Sequence, residues 1–517
     1  LIDVGTARNE LNEPLAIEIL SANLKHFFPT AKIDVAYLQL TEQQKTNQEL
    51  CGYDIIGIST KINSIETIEG FLSRMTEKSF DTRPLFVLGG LVATFAYKQL
   101  LLKYPNAICV LGEGEDAIVG IAKTVCDNPN DDIAKIKKAL HVRQIPNIAL
   151  NMDGQIRISN RKLVCLEELP KPSREFLSTV IKQRGLVRLE GSRGCSWGGC
   201  TFCGITAKYG CAKWRPFPVR HIIEQLEEIS SAGGRYPYFT DEDFIGNNPK
   251  RAIEIADAII DAKTKGRIAH DLAFYVNLPA KSVTKNRIAL MKLKKAGLKE
   301  VFVGIESGSK TQLTRYGKNA TVKDNAEALH TLRDLGLKID IGFMMFDSEV
   351  TVTEVKENID FLGKLGLIEH GERYIKRVRI EPETELASRL LDEKLIDKFD
   401  IDTLSYPYNF KDPLIQLIAD EYEDWEKPFK DKLYLLQALT RGEAFKSIDQ
   451  KYCTKLLGEF RRLDVEYLKA LILKSELGSE IIKVDLQGIT CKRDALLVKL
   501  DSLLFSVHNL TIEPLTC

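Results

Sequence analysis

Residues 191–204 read GSRGCSWGGCTFCG and place three cysteines, Cys195, Cys200 and Cys203, in one short glycine-rich segment. Four residues separate the first pair and two the second. Thiolates at this spacing can converge on one iron–sulfur cluster, and three ligands on a four-iron cluster leave one iron open to bind and cleave a further molecule. The alternatives are a zinc knuckle or ordinary buried thiols. No Cys or His pair at finger spacing supplies the other half of a zinc site, so the residues favour the cluster.

Before this segment the chain alternates short strands and helices. Strands are predicted at Leu1–Val4, Ile33–Leu38, Ile55–Ser59, Leu85–Gly89 and Ile108–Leu111, with helices such as Pro14–Phe28 and Ile65–Met75 between them. Apolar runs separated by amphipathic helices imply a parallel sheet covered on both faces. Ligands of such sheets sit at the strand carboxyl ends. The turns there are Gly5–Thr6, Ser59–Thr60, Gly89–Gly90 and Gly112–Glu113–Gly114, whose small residues admit a large planar or phosphate-bearing ligand to the backbone. A flavodoxin-like domain that binds nothing is the plainer reading of residues 1–125, and neither a GxGxxG nor a P-loop pattern is present. IALNMDGQIRIS (148–159) is a hairpin about Asp153–Gly154, and LPKPSRE (169–175) is a linker.

The alternation resumes after the linker. Strands are predicted at Val187–Glu190, Tyr236–Thr240, Ala273–Asn277, Val301–Ile305, Lys338–Met345 and Arg377–Ile380. Six βα units in series suggest a partial barrel with its functional groups at the strand ends. The cysteine segment follows the first of these strands, where such a fold carries its chemistry. Residues beyond 400 are rich in Leu, Lys and Glu and read mainly as helices, such as Pro428–Thr440 and Cys453–Leu473. The divisions are then an α/β domain at 1–145, a hairpin and linker at 146–180, an α/β partial barrel at 181–400 and a mainly helical domain at 401–517.

At 517 residues the chain exceeds a single core. Lys plus Arg equals Asp plus Glu at 72 each, so the charge balance points to neither nucleic acid nor a membrane surface. Three of the eleven cysteines are clustered and eight scattered, a pattern of the reducing cytoplasm rather than of a disulfide scaffold. No run approaches ~20 apolar residues, so no membrane span is expected. No signal peptide precedes the first strand-like run. That run begins at Leu1 without a methionine, which suggests that native residues precede it.

The cysteine segment resembles that of the radical S-adenosylmethionine (radical SAM) superfamily. TDEDF (240–244), VGIESGS (303–309) and IEPETEL (380–386) are similar, in the same order, to the family's later segments. The resemblance implies a [4Fe-4S] cluster on Cys195, Cys200 and Cys203, with S-adenosylmethionine on the open iron. Its amino group would face Asp241, Glu242 and Asp243, its ribose Glu306 and Ser307, and its adenine Phe202. For Ser307 a helix N-cap is the simpler role, and for Phe202 a core aromatic. The usual family spacing is three then two residues. The extra residue here lies within Ser196–Gly199, where two glycines can absorb a wider loop.

Residues 1–175 resemble the cobalamin-binding domain that precedes the barrel in one radical SAM class, through FVLGG (86–90), LGEGED (111–116) and the passage from PNIALNMDG to LPKPSRE. The resemblance implies a Rossmann-like cobalamin-binding domain, a partial (β/α)6 radical SAM barrel and a mainly helical C-terminal segment. Cobalamin would lie on Gly5, Thr6, Ser59, Thr60, Gly89, Gly90, Gly112, Glu113 and Gly114. No Asp-x-His-x-x-Gly signature is present, and His26 is the only histidine before residue 130. The implied activity is cobalamin-dependent methyl transfer to an unactivated carbon, by way of a 5′-deoxyadenosyl radical and methylcobalamin. A non-methylating rearrangement or oxidation with the same cofactors, or a non-catalytic binding protein on a degenerate fold, are the alternatives. The implied partners are a small-molecule or peptide substrate and an electron donor of flavodoxin or ferredoxin type. Cys211 and Trp214 read as packing residues and Tyr209 as a cavity residue. After Met344–Met345 the chain reads FDSEVT, without the glycine–proline turn common in relatives.

Overall fold

Short apolar runs in the first 160 residues build a seven-stranded sheet from β1 (Ile2–Val4), β2 (Ala36–Leu38), β3 (Ile55–Thr60), β4 (Leu85–Gly90), β5 (Ile108–Val110), β6 (Ile148–Met152) and β7 (Gln155–Ile158). This computed structural model describes residues 1–4, 12–38, 52–76, 84–369, 375–441, 449–477 and 483–511. The strand order is β2-β1-β3-β4-β5-β6-β7. The first five pair in parallel, whereas β6 lies antiparallel to β5 and β7 to β6. The hairpin therefore extends this sheet. Its turn residues Asp153 and Gly154 have φ of 52° and 83°, the sign that a tight two-residue hairpin needs.

Alternation along the strands explains why both faces are dry. Ile56, Ile58, Phe86, Leu88 and Cys109 pack on one side with Ile68, Leu72, Val92 and Ala96, from the helices Ile65–Thr76 and Leu91–Lys103. Leu85, Val87, Ile108 and Val110 pack on the other with Ile118, Ile121 and Ile136, from the helices Glu115–Asp127 and Ile133–Val142. A sheet covered on both sides needs apolar residues at successive positions, which is how these runs read.

The chain forms two compact units. The first comprises Leu1–Asn277, Ile288–Lys299 and Arg379–Pro407. Besides the large sheet it contains β8 (Arg188–Leu189), β9 (Ser192–Arg193), β10 (Arg215–Pro216), β11 (Tyr238–Phe239) and most of β12 (Phe274–Pro279). β11 pairs in parallel with both β8 and β12. β9 and β10 form a short antiparallel ribbon, Arg193 opposite Arg215, and the cysteine segment is the excursion between them.

The second unit comprises Leu278–Arg287, Glu300–Val378 and Tyr408–Cys517. It holds most of β13 (Leu298–Glu306), paired in parallel with β14 (Lys338–Phe343). Its helices Val322–Asp334 and Val352–Lys364 each start at a capping box, Thr321 with Asp324 and Thr351 with Glu354. From Pro413 the described residues are almost entirely helical: Pro413–Glu426, Lys430–Arg441, Gln450–Leu477 and Lys483–Thr511. Trp425 stacks on Tyr467 with ring centres 4.1 Å apart and fixes two of these helices together. No helix among the described residues is long and apolar enough to cross a membrane.

One expectation changes. The strand expected at Arg377–Ile380 is reduced to isolated bridges, Phe346 with Arg377 and Ile380 with Tyr406. Pro382, two residues beyond Ile380, has no N–H to donate and stops a ladder from growing in that direction. The turn after β14 uses a buried carboxylate instead of glycine–proline. Asp347 accepts from Gln312 Nε2 at 2.9 Å, Arg315 Nε and Nη2 at 3.0 and 2.9 Å, and the Glu349 N–H at 2.9 Å.

Candidate active site

The cysteine excursion is pinned at both ends. The β9–β10 ribbon closes its base, and the Cys195 N–H donates to Ala212 O at 3.4 Å. Within it the Cys203 N–H donates to Cys200 O at 3.2 Å, and all three cysteines are half-buried. Gly194 and Gly198 have φ of +85° and +67°. A Cβ on Gly198 would run into Ala212, so the extra residue of the widened spacing is taken up at a position that only glycine can hold.

Burial pushes the Cys203 thiol up to about 12, the Ile205 N–H opposing and Cys200, Glu381 and Cys195 adding to the rise. Cys203 thus lies close to the other two thiols, in a place where its thiolate needs a cation beside it. Among the described residues no three His, Cys, Asp or Glu converge on a point fit for a single metal ion. A four-iron cluster makes a different demand, because each thiolate binds its own iron and the sulfurs need only face a common volume. The donor set fits that group.

The carboxylates expected to meet a cationic amine are occupied in building this loop. Asp241, fully buried, accepts from the Gly191 N–H at 2.8 Å and Ser192 Oγ at 2.6 Å. Burial raises its carboxyl to about 7, with the Ser192 and Gly191 bonds and the Arg251 charge opposing. Asp243, also buried, accepts from Ser196 Oγ at 2.5 Å and the Gly246 N–H at 3.0 Å. Glu242 takes the Gly194 N–H on Oε2 at 3.1 Å, and Lys208 Nζ and Tyr209 Oη on Oε1, each at 3.0 Å. Of the three, only Glu242 retains exposure. Trp214 donates from Nε1 to Asp243 O at 2.8 Å and Ser192 Oγ at 3.1 Å, which makes it a packing residue. Phe202 is half-buried within the loop.

Sequence reasoning missed Glu381 as a holder of this loop. Its Oε2 accepts the Gly204 N–H at 3.0 Å, while Thr201 O accepts the Leu386 N–H at 2.8 Å. IEPETEL thereby clamps the cysteine segment from a position some 180 residues away in sequence, and a contact of that range has no local signal.

A cavity of about 330 Å³ opens at the carboxyl edge of the large sheet. That lies in the size range of cofactor sites. Ser59, Gly89, Gly90, Gly112, Glu113 and Gly114 line it. A Cβ on Gly89 would meet no protein atom within 4 Å, so the backbone there is open to a bulky neighbour. Thr60 instead holds the turns together, donating from Oγ1 to Gly89 O at 2.7 Å and accepting the Ala93 N–H at 2.9 Å. Gly5 and Thr6 lie outside the described residues. The walls are largely apolar, with Leu15, Ile19, Ile58 and Val87, and Lys61 pairs with Asp3 at one side. Arg193, Lys208 and Tyr209 also line it, and of these only Tyr209 was expected at a cavity. A mostly apolar slot with small residues at the strand ends fits a corrinoid's flat face and its amide rim, and among the described residues no histidine lines it.

Buried charge joins the cavity to the loop. Arg193 meets Glu113 at 3.1 Å, Glu115 at 2.7 Å and Glu190 at 2.9 Å. Glu113 also takes Arg215 Nη2 at 2.5 Å and the Val164 N–H at 2.8 Å. Burial would raise the Glu113 carboxyl, but the Arg215 bonds, the Arg193 charge and the Val164 N–H outweigh it and hold it below the ordinary value.

Glu306 and Ser307 belong to the second unit. Glu306 stands at a register shift of β13 with φ of +65°, a strained conformation for a side chain of its size, and Lys318 Nζ lies 3.2 Å from its Oε1. Ser307 is fully buried. Its hydroxyl lies 2.5 Å from Gln312 Oε1 and 2.8 Å from Asn358 Oδ1 and accepts the Ser309 N–H at 2.9 Å. It is therefore not presented to a ribose, nor is it the N-cap, which is Ser309.

Residues 189–362 match the radical SAM superfamily. The chain is 30% identical over 366 residues to 4′-phospho-dehydrooxetanocin synthase of Priestia megaterium, covering 66% of this chain and 46% of that protein. It spans 46 to 65% of the length of the curated relatives it matches most strongly. Its fold is similar to that of the cobalamin-dependent S-adenosylmethionine radical enzyme OxsB, with a TM-score of 0.77 at 22% identity over 99% of this chain and 81% of that one. It is also similar to the radical S-adenosylmethionine methyltransferase TsrM of Kitasatospora setae, with a TM-score of 0.60 at 13% identity over 92% of this chain and 98% of that one. Over residues 189–362 the chain is thus similar to the radical SAM superfamily, and over nearly its whole length it has the fold of OxsB.

Proposed function

We propose that this chain is a cobalamin-dependent radical SAM enzyme that transfers a methyl group to an unactivated carbon. The observation that carries the reading is that the cavity and the cysteine loop share residues, because Lys208 and Tyr209 line the first and bond to the carboxylate that holds the second. In this reading residues 1–145 are a Rossmann-like cobalamin-binding domain, the strands between Arg188 and Phe343 belong to a partial (β/α)6 barrel, and the protein works in the cytoplasm. Cys195, Cys200 and Cys203 would hold a [4Fe-4S] cluster, and Ser59, Gly89, Gly90, Gly112 and Gly114 would admit the corrinoid. When bound, these groups supply a hydrogen-abstracting carbon radical from S-adenosylmethionine and a carrier for the methyl group.

The chain's own part is position and exclusion of water. Asp241, Asp243 and Glu381 fix the loop that presents the thiols. Glu242, with its remaining exposure, stands where an amine can reach it. Glu306 is the group on β13 suited to accept from ribose hydroxyls. A small-molecule or peptide substrate and a flavodoxin- or ferredoxin-type electron donor complete the reading.

Anaerobic reconstitution with iron, sulfide and hydroxocobalamin tests it on one sample. The expected result is about four iron atoms per chain, lost when the three cysteines are replaced by alanine. Bound cobalt and a product heavier by one methyl group should accompany them. Methylation that runs equally well without cobalamin overturns the proposal. The name of the synthase relative favours a second reading, a non-methylating radical outcome with the same cofactors, and a product that loses hydrogen without gaining methyl mass would establish it.

A further inference from the structure

The cysteine excursion and the cavity are fastened to each other at three places, all within the first unit. At the outgoing limb Arg193, two residues before Cys195, reaches into the turn after β5 through Glu113 and Glu115. At the returning limb Lys208 O accepts from Arg161 Nη2 at 2.6 Å. Gly112 runs so close beneath that a Cβ on it would lie 2.6 Å from the same oxygen. The third fastening is the most direct. Lys208 and Tyr209 end the helix Ile205–Tyr209 that follows Cys203, and both line the cavity. Lys208 Nζ lies 2.8 Å from Tyr209 Oη, and both contact Glu242 Oε1, whose sister oxygen holds the Gly194 N–H beside Cys195.

Gly194 sits at φ +85°, a conformation that glycine permits but does not prefer over others. The Glu242 hydrogen bond is one of the contacts that hold it, beside the β9–β10 ribbon and the Cys195–Ala212 bond. Glu242 thus ties the backbone beside the first cysteine to two side chains that line the cavity. A ligand in the cavity would meet Lys208 and Tyr209, the two side chains bonded to Glu242.

We propose that Tyr209 and Lys208 are positioning residues that couple occupancy of the cavity by a corrinoid to the ordering of the cysteine loop, so that each cofactor tightens the binding of the other. This rests on the functional reading above. Coupling between binding sites is reciprocal: if the cluster raises the affinity for cobalamin by some factor, cobalamin raises retention of the cluster by the same factor.

The test is a titration of the whole chain with hydroxocobalamin, followed by visible absorption, once without iron and once after anaerobic cluster assembly. The wild type should bind cobalamin at least about fivefold more tightly when the cluster is present, the lower end of ordinary coupling between sites. In Tyr209→Phe and Lys208→Met the ratio of the two affinities should fall below about twofold, whatever happens to either affinity alone. A second readout is the electron paramagnetic resonance spectrum of the reduced cluster, which should shift on addition of cobalamin in the wild type and stay fixed in both variants. If both cofactors bind the wild type with a ratio near one, the coupling is refuted and the functional reading stands. If the ratio and the spectral shift persist in both variants, the assignment to Tyr209 and Lys208 is refuted. If the wild type binds neither iron nor cobalamin, the functional reading itself falls.

Discussion

Arg193 stands among Glu113, Glu115 and Glu190 with almost no exposure to water, and a charge so placed is tolerated only because its partners are fixed around it. Its identity was legible in the segment around the cysteines, but its partners lie as far as 80 residues away and no local pattern announces them. The same distance hid the roles of Asp241 and Asp243. Three acidic residues in a row look like a solvated or ligand-binding loop, yet two of them turn inward to Gly191, Ser192 and Ser196, about 50 positions earlier. A single half-buried imidazole makes a quantitative case at this scale. His221 stacks on Phe217 with ring centres 4.8 Å apart. Burial lowers it to about 4, the Glu224 charge opposing and the charges of Lys171, Arg174 and Arg220 adding to the shift. Between its unfolded value of 6.5 and its folded value near 4, the unfolded chain binds a proton that the folded chain refuses. The stability contribution is therefore complete above the upper value and drains away as pH falls toward the lower. Urea melts at about pH 7.5 and about pH 5 should show a larger loss for the wild type than for His221→Phe, which keeps the stack and cannot titrate. Equal losses would mean that His221 gains its proton without penalty.

Elements divide into those whose pattern is local and those whose pattern is not. β3, β4 and β5 announce themselves because burial on both faces leaves continuous apolar runs, and the hairpin because Asp153–Gly154 is a tight-turn pair. What hid the hairpin's attachment is that β6 pairs with β5 across the whole helical stretch 115–142. The strand expected at Arg377–Ile380 carries the right residue types, but its neighbours meet it only at isolated bridges. The turn after β5 is where an element's geometry decides function. Gly112 has φ of +73°, and a Cβ there would press on Lys208 O and the Arg161 guanidinium. Gly112→Ala should therefore separate this turn from the cysteine excursion and cost about 1–3 kcal/mol, the range for a side chain forced into a left-handed backbone. The measurement is a denaturant melt together with cobalamin uptake. A variant with wild-type stability and uptake would show that the close approach is dispensable.

At the scale of the molecule, chain order and compact units do not coincide. The first unit is assembled from three separate stretches of sequence, Leu1–Asn277, Ile288–Lys299 and Arg379–Pro407, and every residue lining the cavity comes from the first of them. Cys195, Cys200, Cys203 and Glu381 also belong to this unit, whereas the helices from Pro413 onward belong to the other. A ligand stabilises the state that binds it, by about 2.7 kcal/mol at a hundredfold excess over its dissociation constant, and the gain is largest where opening exposes the site. Hydrogen exchange with and without saturating cobalamin should therefore show slowed exchange in β3, β4, β5 and their following turns, and in the helix Ile205–Tyr209. The helices Pro413–Glu426 and Gln450–Leu477 should keep their rates, because no residue of theirs lines the cavity. Slowing confined to those C-terminal helices would place the corrinoid elsewhere. Slowing at the β5 turn and at residues 205–209 together is the pattern that a cavity walled by both segments requires.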